Sequence, residues 1–525
     1  MEGGLTWDVG VSVPIVFVKG IPAVRQKIRR HPHLYEANAR IFLKRISERY
    51  GRELTLAAIP DEEWQVLDRR GFDLVWLMGV WQRSPSARRE ALLDVNLRRE
   101  YDEALPGWTE GDVAGSPYAV HSYVIDSALG SERDLMEIRA RLNRRGLGLV
   151  LDFVPNHLAL DHPWVSSHPD RFVQGDEADA ATHHDWFFSP DGRKHLAHGR
   201  DPNFAPWTDT AQLNFFSAEL RQALIEELLQ IATVADGVRC DMAMLALNGV
   251  FEQIWGGVLK DHARLVTEFW ADAIGAVRKQ HPDFIFLAEA YWGLERELQE
   301  MGFDFTYDKP FYDRLRFSSP ADIHKYLGDK NIRHERGVRF IENHDEPRSR
   351  VVLGRERCLA AAIVLATVPG LRLFQDGQLE GLRIHLPVQL VREPRETADS
   401  EITRFYDRLL TVCNAPAFHE GEWVLLEATP AGEGNHGHQN LLAWSWCSDS
   451  QLMTVIINYS ADRSQGRLVL PIELEKAGGV ALQDELGGET YMRDANELRS
   501  QGLYVDLDPW RAHILNLANG RPLVV

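Results

Sequence analysis

GVRCDMAML, Gly237 to Leu245, decides how this chain is read. It follows a long amphipathic run and an Ala-Asp turn, so Val238 to Asp241 is predicted to be a brief buried strand. Strand alternation sends Val238 and Cys240 to one side and Arg239 and Asp241 to the other. A carboxylate and a guanidinium leaving one face at a strand end are costly to bury without a purpose. Taken alone, an ion pair that merely braces the fold is the plainer reading.

Three further runs repeat the pattern. LGLVLDFVPNH (147–157) delivers Asp152, Asn156 and His157, and DFIFLAEAYW (283–292) delivers Glu289. GVRFIENHDEPR (337–348) delivers Glu342, His344, Asp345 and Glu346. A chain that repeatedly sets charge just past an apolar strand suits a barrel of parallel strands, whose carboxyl ends converge on one face.

The remaining strands are sought on that basis. Ala37 to Lys44 is expected as the first, Phe72 to Trp81 as the second and Leu147 to Phe153 as the third. Gly237 opens the fourth, and Phe284 to Glu289 is the fifth. Gly302 to Tyr307, Val338 to Glu342 and Leu371 to Gln375 complete eight. Helices are expected after the Ser131 capping box, after Ser217, as one span from Val250 to Gln280, and from Ile402 to Val412. The fold class is therefore α/β, a (β/α)8 TIM barrel over residues 37–415, preceded by an arm over 1–36. A subdomain with little periodicity is inserted after strand three, over 155–216. From 420 to 525, short β runs between Gly, Asp, Ser and Asn turns predict an antiparallel β-sandwich.

Composition narrows the partners. With 525 residues and a formal net charge of −19, nucleic acid and anionic membrane are excluded as partners. No run reaches membrane-spanning length. The apolar patch Val9 to Val18 is broken by Ser12 and Pro14 and no basic segment precedes it, so no signal peptide is expected. Four scattered cysteines read as small buried hydrophobes, and a reducing cytoplasm is the expected compartment. Fifteen Trp, 13 Tyr and 22 Phe supply flat faces that suit sugar rings.

Three acids at strand ends, Asp241, Glu289 and Asp345, meet the minimum for glycosidic cleavage, which needs one ionised and one protonated carboxyl facing the same bond. Arg239 would keep Asp241 charged. Glu289 lies among Ala288, Ala290, Tyr291 and Trp292, an apolar setting that favours its protonated form.

The four runs, in this order, resemble the four signature regions of the α-amylase superfamily, glycoside hydrolase family thirteen: DFVPNH, GVRCDM, FLAEAYW and FIENHDE. The resemblance covers roughly residues 37 to 385. It implies a retaining α-glucoside hydrolase acting on α-glucans or malto-oligosaccharides, with Asp241 as nucleophile, Glu289 as acid/base and Asp345 as transition-state stabiliser. Arg239, His157 and His344 would surround the reacting sugar, and Tyr118 resembles the tyrosine that stacks on it. An α-glucan transglycosylase or phosphorylase sharing the same intermediate is the close alternative. A non-catalytic glucan-binding relative is the distant one, and it would be expected to lose a triad member.

Two departures stand out. Many starch-cleaving members follow the nucleophile with a Lys-His pair where this chain has Met244 and Leu245, which implies an apolar acceptor side. In WTDTAQLNF (207–215), Gln212 stands where calcium-binding members carry Asp. Asn156 alone is a poor calcium ligand, so no cofactor or metal is expected, and the structural calcium usual in the family would lack its carboxylate.

Overall fold

The alternation expected at Val238 to Asp241 holds around a closed ring. The computed structural model describes residues 28–190, 192–260, 262–448, 451–473, 478–517 and 521–522. The ring is built from β1 (His33–Asn38), β2 (Leu74–Met78), β3 (Gly148–Phe153) and β4 (Gly237–Cys240), followed by β5 (Ile285–Ala288), β6 (Phe305–Tyr307), β7 (Gly337–Arg339) and β8 (Leu371–Gln375). Each strand pairs in parallel with the next, and β8 closes on β1. One set of alternate side chains, with Leu34, Trp76, Val150, Leu287 and Leu373, fills the barrel. The other set, with Val75, Leu151, Val238, Cys240 and Phe374, packs on the helices outside. Strands covered on both faces must be apolar throughout, and β2 is buried at every residue.

β1 corrects the expected start. It runs from His33 to Asn38, whereas Ala39–Tyr50 is a helix capped by the Asn38 side chain, which accepts from Arg40 N and Ile41 N. The apolar run in ARIFLK has helical spacing, with Ile41, Phe42 and Ile46 on the buried face. The barrel therefore takes in residues assigned to the arm, and residues 1–27 of that arm lie outside the described residues. The span from Val250 to Gln280 is also two helices, Asn248–Trp255 and Phe269–Gln280, the first ending at Gly256-Gly257. The helices after Ser131 and Ser217 begin as expected, each capped by its serine.

The insertion after β3 has short elements of its own. His157–Ala159 pairs with Thr210–Gln212, and a three-stranded sheet joins Gln174–Gly175, His195–Ala197 and Phe187–Phe188. In the C-terminal region, β9 (Glu422–Leu426), β10 (Leu441–Cys447), β11 (Leu452–Asn458), β12 (Gly479–Asp484), β13 (Thr490–Asp494) and β14 (Ala512–Leu517) form an antiparallel sheet of order β9-β10-β11-β14-β12-β13. A three-stranded sheet of Ala428–Thr429, Ser464–Leu468 and Leu503–Leu507 shares a second core with it, including Leu441, Ile456, Leu468 and Val505. Alternate residues of β10, Trp444 and Trp446, face the barrel core instead, which fastens the two units together. The four cysteines are unpaired and buried. Among the described residues no helix is long and apolar enough to cross a membrane.

Candidate active site

Register brings the first two acids together. β4 and β5 pair Cys240 with Ala288, so Asp241 and Glu289 leave neighbouring strands side by side. The ladder continues past the strands, with Asp241 N donating to Phe153 O (2.9 Å) and Glu289 N to Cys240 O (3.0 Å). Arg239 projects from the same face of β4. Its Nη1 donates to Asp241 Oδ1 at 2.7 Å. Its Nη2 lies 2.8 Å from Glu289 Oε2 and 3.9 Å from Asp345 Oδ2, ion-pair contacts without hydrogen-bond geometry. One guanidinium thus touches all three carboxylates.

Burial then separates the acids. Glu289 is raised to about 7, first by desolvation and then by the charges of Asp241 and Asp345, against the pull of Arg239. Its Oε2 accepts from Met242 N (2.7 Å) and its Oε1 from the Tyr291 hydroxyl (2.7 Å). Burial also raises Asp241, but Arg239 opposes that rise both by its charge and by a direct hydrogen bond. The Asp345 side chain is 44% exposed and is the member of the three that faces open solvent.

A second group closes the site from β1. His344 Nδ1 lies 2.6 Å from Glu36 Oε1, and its Nε2 lies 2.6 Å from the Tyr118 hydroxyl and 3.1 Å from Asp345 Oδ2. Burial disfavours the imidazolium, yet Asp345 and Glu36 together lift His344 to about 9, so it carries a proton at neutral pH. Tyr118 stacks on the His344 ring at 5.4 Å and lies 5.2 Å from the Arg239 guanidinium. Asp152, inside the barrel, accepts from Trp76 Nε1 (3.1 Å) and Gly79 N (2.7 Å), and so braces β2 against β3.

These groups open into a cleft of about 1080 Å³, whose wall includes Tyr118, His157, Trp207, Asp241, Glu289, Trp292 and Asp345. His157 stands apart from the His344 network. Burial lowers it to about 3, and its ring lies 5.0 Å from that of Trp207. Glu342 turns away, held by Arg348 Nη1 (2.8 Å) and Ser349 N (2.7 Å).

Sequence reasoning missed Glu36, the Tyr291 hydroxyl and the Met242 amide. Glu36 alternates with Leu34 in HLYEAN, a signal that starting the strand at Ala37 hides. An apolar acceptor side was expected from Met244 and Leu245, and the structure does not bring them to the cleft. Both are fully buried, whereas Leu93, Phe204 and Trp292 line it and are exposed.

Where the resemblance would put calcium ligands, the two amides satisfy each other. Gln212 Nε2 donates to Asn156 Oδ1 (2.9 Å), Asn156 O (2.9 Å) and Leu213 O (3.1 Å), and Asn156 Nδ2 donates to Gln212 Oε1 (3.3 Å). These oxygens already receive N–H groups, and neither amide brings charge, so the set does not fit calcium.

Comparisons with known proteins agree with this architecture. The family described as alpha amylase, catalytic domain, matches residues 67–399. Alpha-amylase MalA of Haloarcula japonica is 27% identical over 325 residues, which is 60% of this chain and 40% of that protein. An alpha-1,4-glucan:maltose-1-phosphate maltosyltransferase of Bifidobacterium longum is 27% identical over 241 residues, covering 44% of this chain and 26% of its own length. The chain therefore spans less than half of each of these two relatives. The crystal structure of a noncanonic maltogenic alpha-amylase, AmyB from Thermotoga neapolitana, superposes with a TM-score of 0.64 at 19% identity, covering 93% of this chain and 99% of that one. An alpha-amylase from Lactobacillus plantarum superposes with a TM-score of 0.63, also at 19% identity, covering 93% and 99%. At that identity the two structures speak to the fold alone.

Proposed function

The chain belongs to the alpha-amylase catalytic-domain family, and from that premise we propose that it is a retaining α-glucosidic enzyme acting on uncharged malto-oligosaccharides or α-glucans. The observation that carries this reading is the single Arg239 guanidinium touching Asp241 and Glu289 at the mouth of the barrel. In the first step Asp241 attacks the anomeric carbon while protonated Glu289 gives its proton to the departing glycosidic oxygen. The resulting Glu289 carboxylate then takes a proton from water or from a sugar hydroxyl. The oxygen so activated displaces Asp241 and restores both groups. Asp345 and His344, in contact with each other (3.1 Å), hold adjacent ring hydroxyls, with the Asp345 carboxylate near the developing positive charge, and Tyr118 supplies a flat face for the sugar.

Water and sugar are favoured over phosphate as the second nucleophile. Eight acidic residues besides Glu289 line the cleft against one lysine, Lys309. That lysine is already engaged by Asp313 (2.6 Å) and Glu346 (3.2 Å). A field of this sign repels phosphate and phosphorylated donors.

The test is a panel of α-linked glucosides, with and without a sugar acceptor, resolved by chromatography. Products that retain the α configuration support the reading, and no turnover of any α-glucoside overturns it. The rate of the first step should fall about tenfold per pH unit above roughly 7, as Glu289 loses the proton it must donate. A pH profile flat from 6 to 9 would remove Glu289 from the role of acid. We also propose that the enzyme works without calcium, because the Asn156–Gln212 pair leaves no charged ligand there. Dialysis against millimolar EDTA should leave both activity and the thermal midpoint unchanged, and a loss that added calcium reverses would reject that proposal. The four buried, unpaired thiols support a reducing cytoplasm as its compartment.

A further inference from the structure

Glu36 lies inside the barrel and outside the wall of the cleft. It is 1% exposed, on β1 between Trp76 of β2 and Gln375 of β8. Leu34, Trp76 and Leu373 make that interior apolar. A carboxylate buried there weakens the fold unless a cation faces it. Half of its capacity is idle as well, since Glu36 Oε2 has no hydrogen-bond partner among the described residues.

The other oxygen is given to a single residue. Glu36 Oε1 lies 2.6 Å from His344 Nδ1 and accepts from His344 N at 3.3 Å. It therefore holds both the ring and the main chain of the residue just before Asp345. The far edge of the imidazole meets the site, where Nε2 lies 2.6 Å from the Tyr118 hydroxyl and 3.1 Å from Asp345 Oδ2. The Trp76 ring stands edge-on to the imidazole at 5.3 Å and limits its tilt.

The groups that face this imidazole come from five elements. Glu36 on β1 and Asp345 on its own loop favour a proton on it, and Arg239 on β4 opposes one. Asp152 on β3 and the Tyr118 hydroxyl complete the set, while His385 reaches only the carbonyl of His344 (2.8 Å). A neutral imidazole carries one N–H. With that hydrogen on Nδ1, the Nε2 lone pair would turn toward Asp345 and repel it.

Building on the function proposed above, we infer that Glu36 is a positioning residue that keeps His344 a double donor, Nδ1–H bound to Glu36 and Nε2–H aimed at Asp345 and a hydroxyl of the bound sugar. Glu36 acts through the ring and never meets the substrate.

α-Maltosyl fluoride tests this on the full-length chain, because fluoride departs without a proton from Glu289 and the alkaline limit of kcat/KM then reports His344. In the parent that limit should lie near 9. Glu36→Gln keeps an acceptor for Nδ1–H and loses the charge. Its limit should lie at least about one pH unit lower, with rates at pH 6 within about threefold of the parent. Glu36→Asp, which keeps the charge at longer range, should recover at least about half of that shift. In a His344→Gln background, adding Glu36→Gln should change kcat/KM at pH 8.5 less than about twofold, because the ring it acts through is gone. A limit shared by the parent and Glu36→Gln, or an equal loss in both backgrounds, overturns the inference and leaves the glycosidase reading standing. A parent profile level from pH 8 to 10 overturns it without recourse to any variant. A parent inert toward the fluoride and toward every α-glucoside overturns both.

Discussion

Asp241→Asn should lower turnover of a malto-oligosaccharide by roughly four orders of magnitude, while sugar affinity changes only a few-fold. The amide keeps the size and the hydrogen bond that Arg239 Nη1 makes to Asp241 Oδ1 at 2.7 Å. It loses the anionic oxygen that must bond to the anomeric carbon. In the proposed site, binding rests on hydroxyl contacts from Asp345 and His344 and on stacking against Tyr118, which the change leaves in place. A second readout separates a lost nucleophile from a disturbed site. Asp241 is one of the charges holding Glu289 at about 7, so its removal should let Glu289 ionise at lower pH. Residual hydrolysis in Asp241→Asn should then decline from a lower pH than in the parent. A slow fluorinated donor should leave a covalent mass adduct on a peptide containing Asp241 in the parent and none in the variant. Retention of more than about a tenth of the parent rate would contradict the role given to Asp241.

What the sequence made legible was the alternation that sets the barrel. Val238 and Cys240 face the outer core, Arg239 faces inward, and the same period places Asp152 and Leu287 within the barrel. Strand ends rich in charge were visible because ionisable side chains interrupt apolar runs at a fixed point. β1 was obscured for the converse reason. It carries His33 and Glu36 within the strand, while the apolar residues that looked like a strand belong to the helix capped by Asn38. Glu36 was lost with it, although its contact with His344 spans 308 positions of sequence. The Met242 amide could not be read at all, since its role depends on a φ of 42° that no residue type at that position announces. Met244 and Leu245 failed in another way. Identity at aligned positions suggested a cleft lining, but their complete burial puts them in the core.

Acidification should destabilise the protein steeply within about two pH units below 6.5, with a large share of the loss arising at the end of the barrel opposite the site. His31, His33 and His419 are buried there around Arg372, and each is held uncharged. Burial and the nearby guanidinium lower His31 and His419 to about 2, and burial and its neighbours push His33 well below its ordinary range. Their hydrogen bonds explain why protons are refused. Gly370 N donates to His31 Nδ1 (3.0 Å), and Arg372 Nη1 approaches His33 Nε2 at 3.3 Å, so both nitrogens must keep their lone pairs. The His33 and His419 rings stand 4.8 Å apart in edge contact, and a second cation there would add repulsion. Arg372 bonds to the carbonyls of Val368 and Phe418, with no carboxylate among these partners to balance further charge. A histidine whose folded pKa is depressed contributes stability that is complete above its unfolded value, near 6.5, and is lost as pH falls below it. Each contributes about 1.4 kcal/mol per pH unit, so the three together remove roughly 4 kcal/mol per unit. Against a net stability of about 5–15 kcal/mol, that gradient is decisive. Glu289 works in the opposite sense, gaining a proton in the folded state below about 7, and offsets roughly one histidine. His344 is raised to about 9, so its contribution is complete below 6.5 and fades only as pH rises through 9. Urea midpoints between pH 7.5 and 4.5 should therefore fall steeply and monotonically, with an uptake of at least two protons on unfolding. Midpoints that stay level down to pH 5 would show that these rings accept protons in the folded barrel, and the neutral cluster would have to be abandoned.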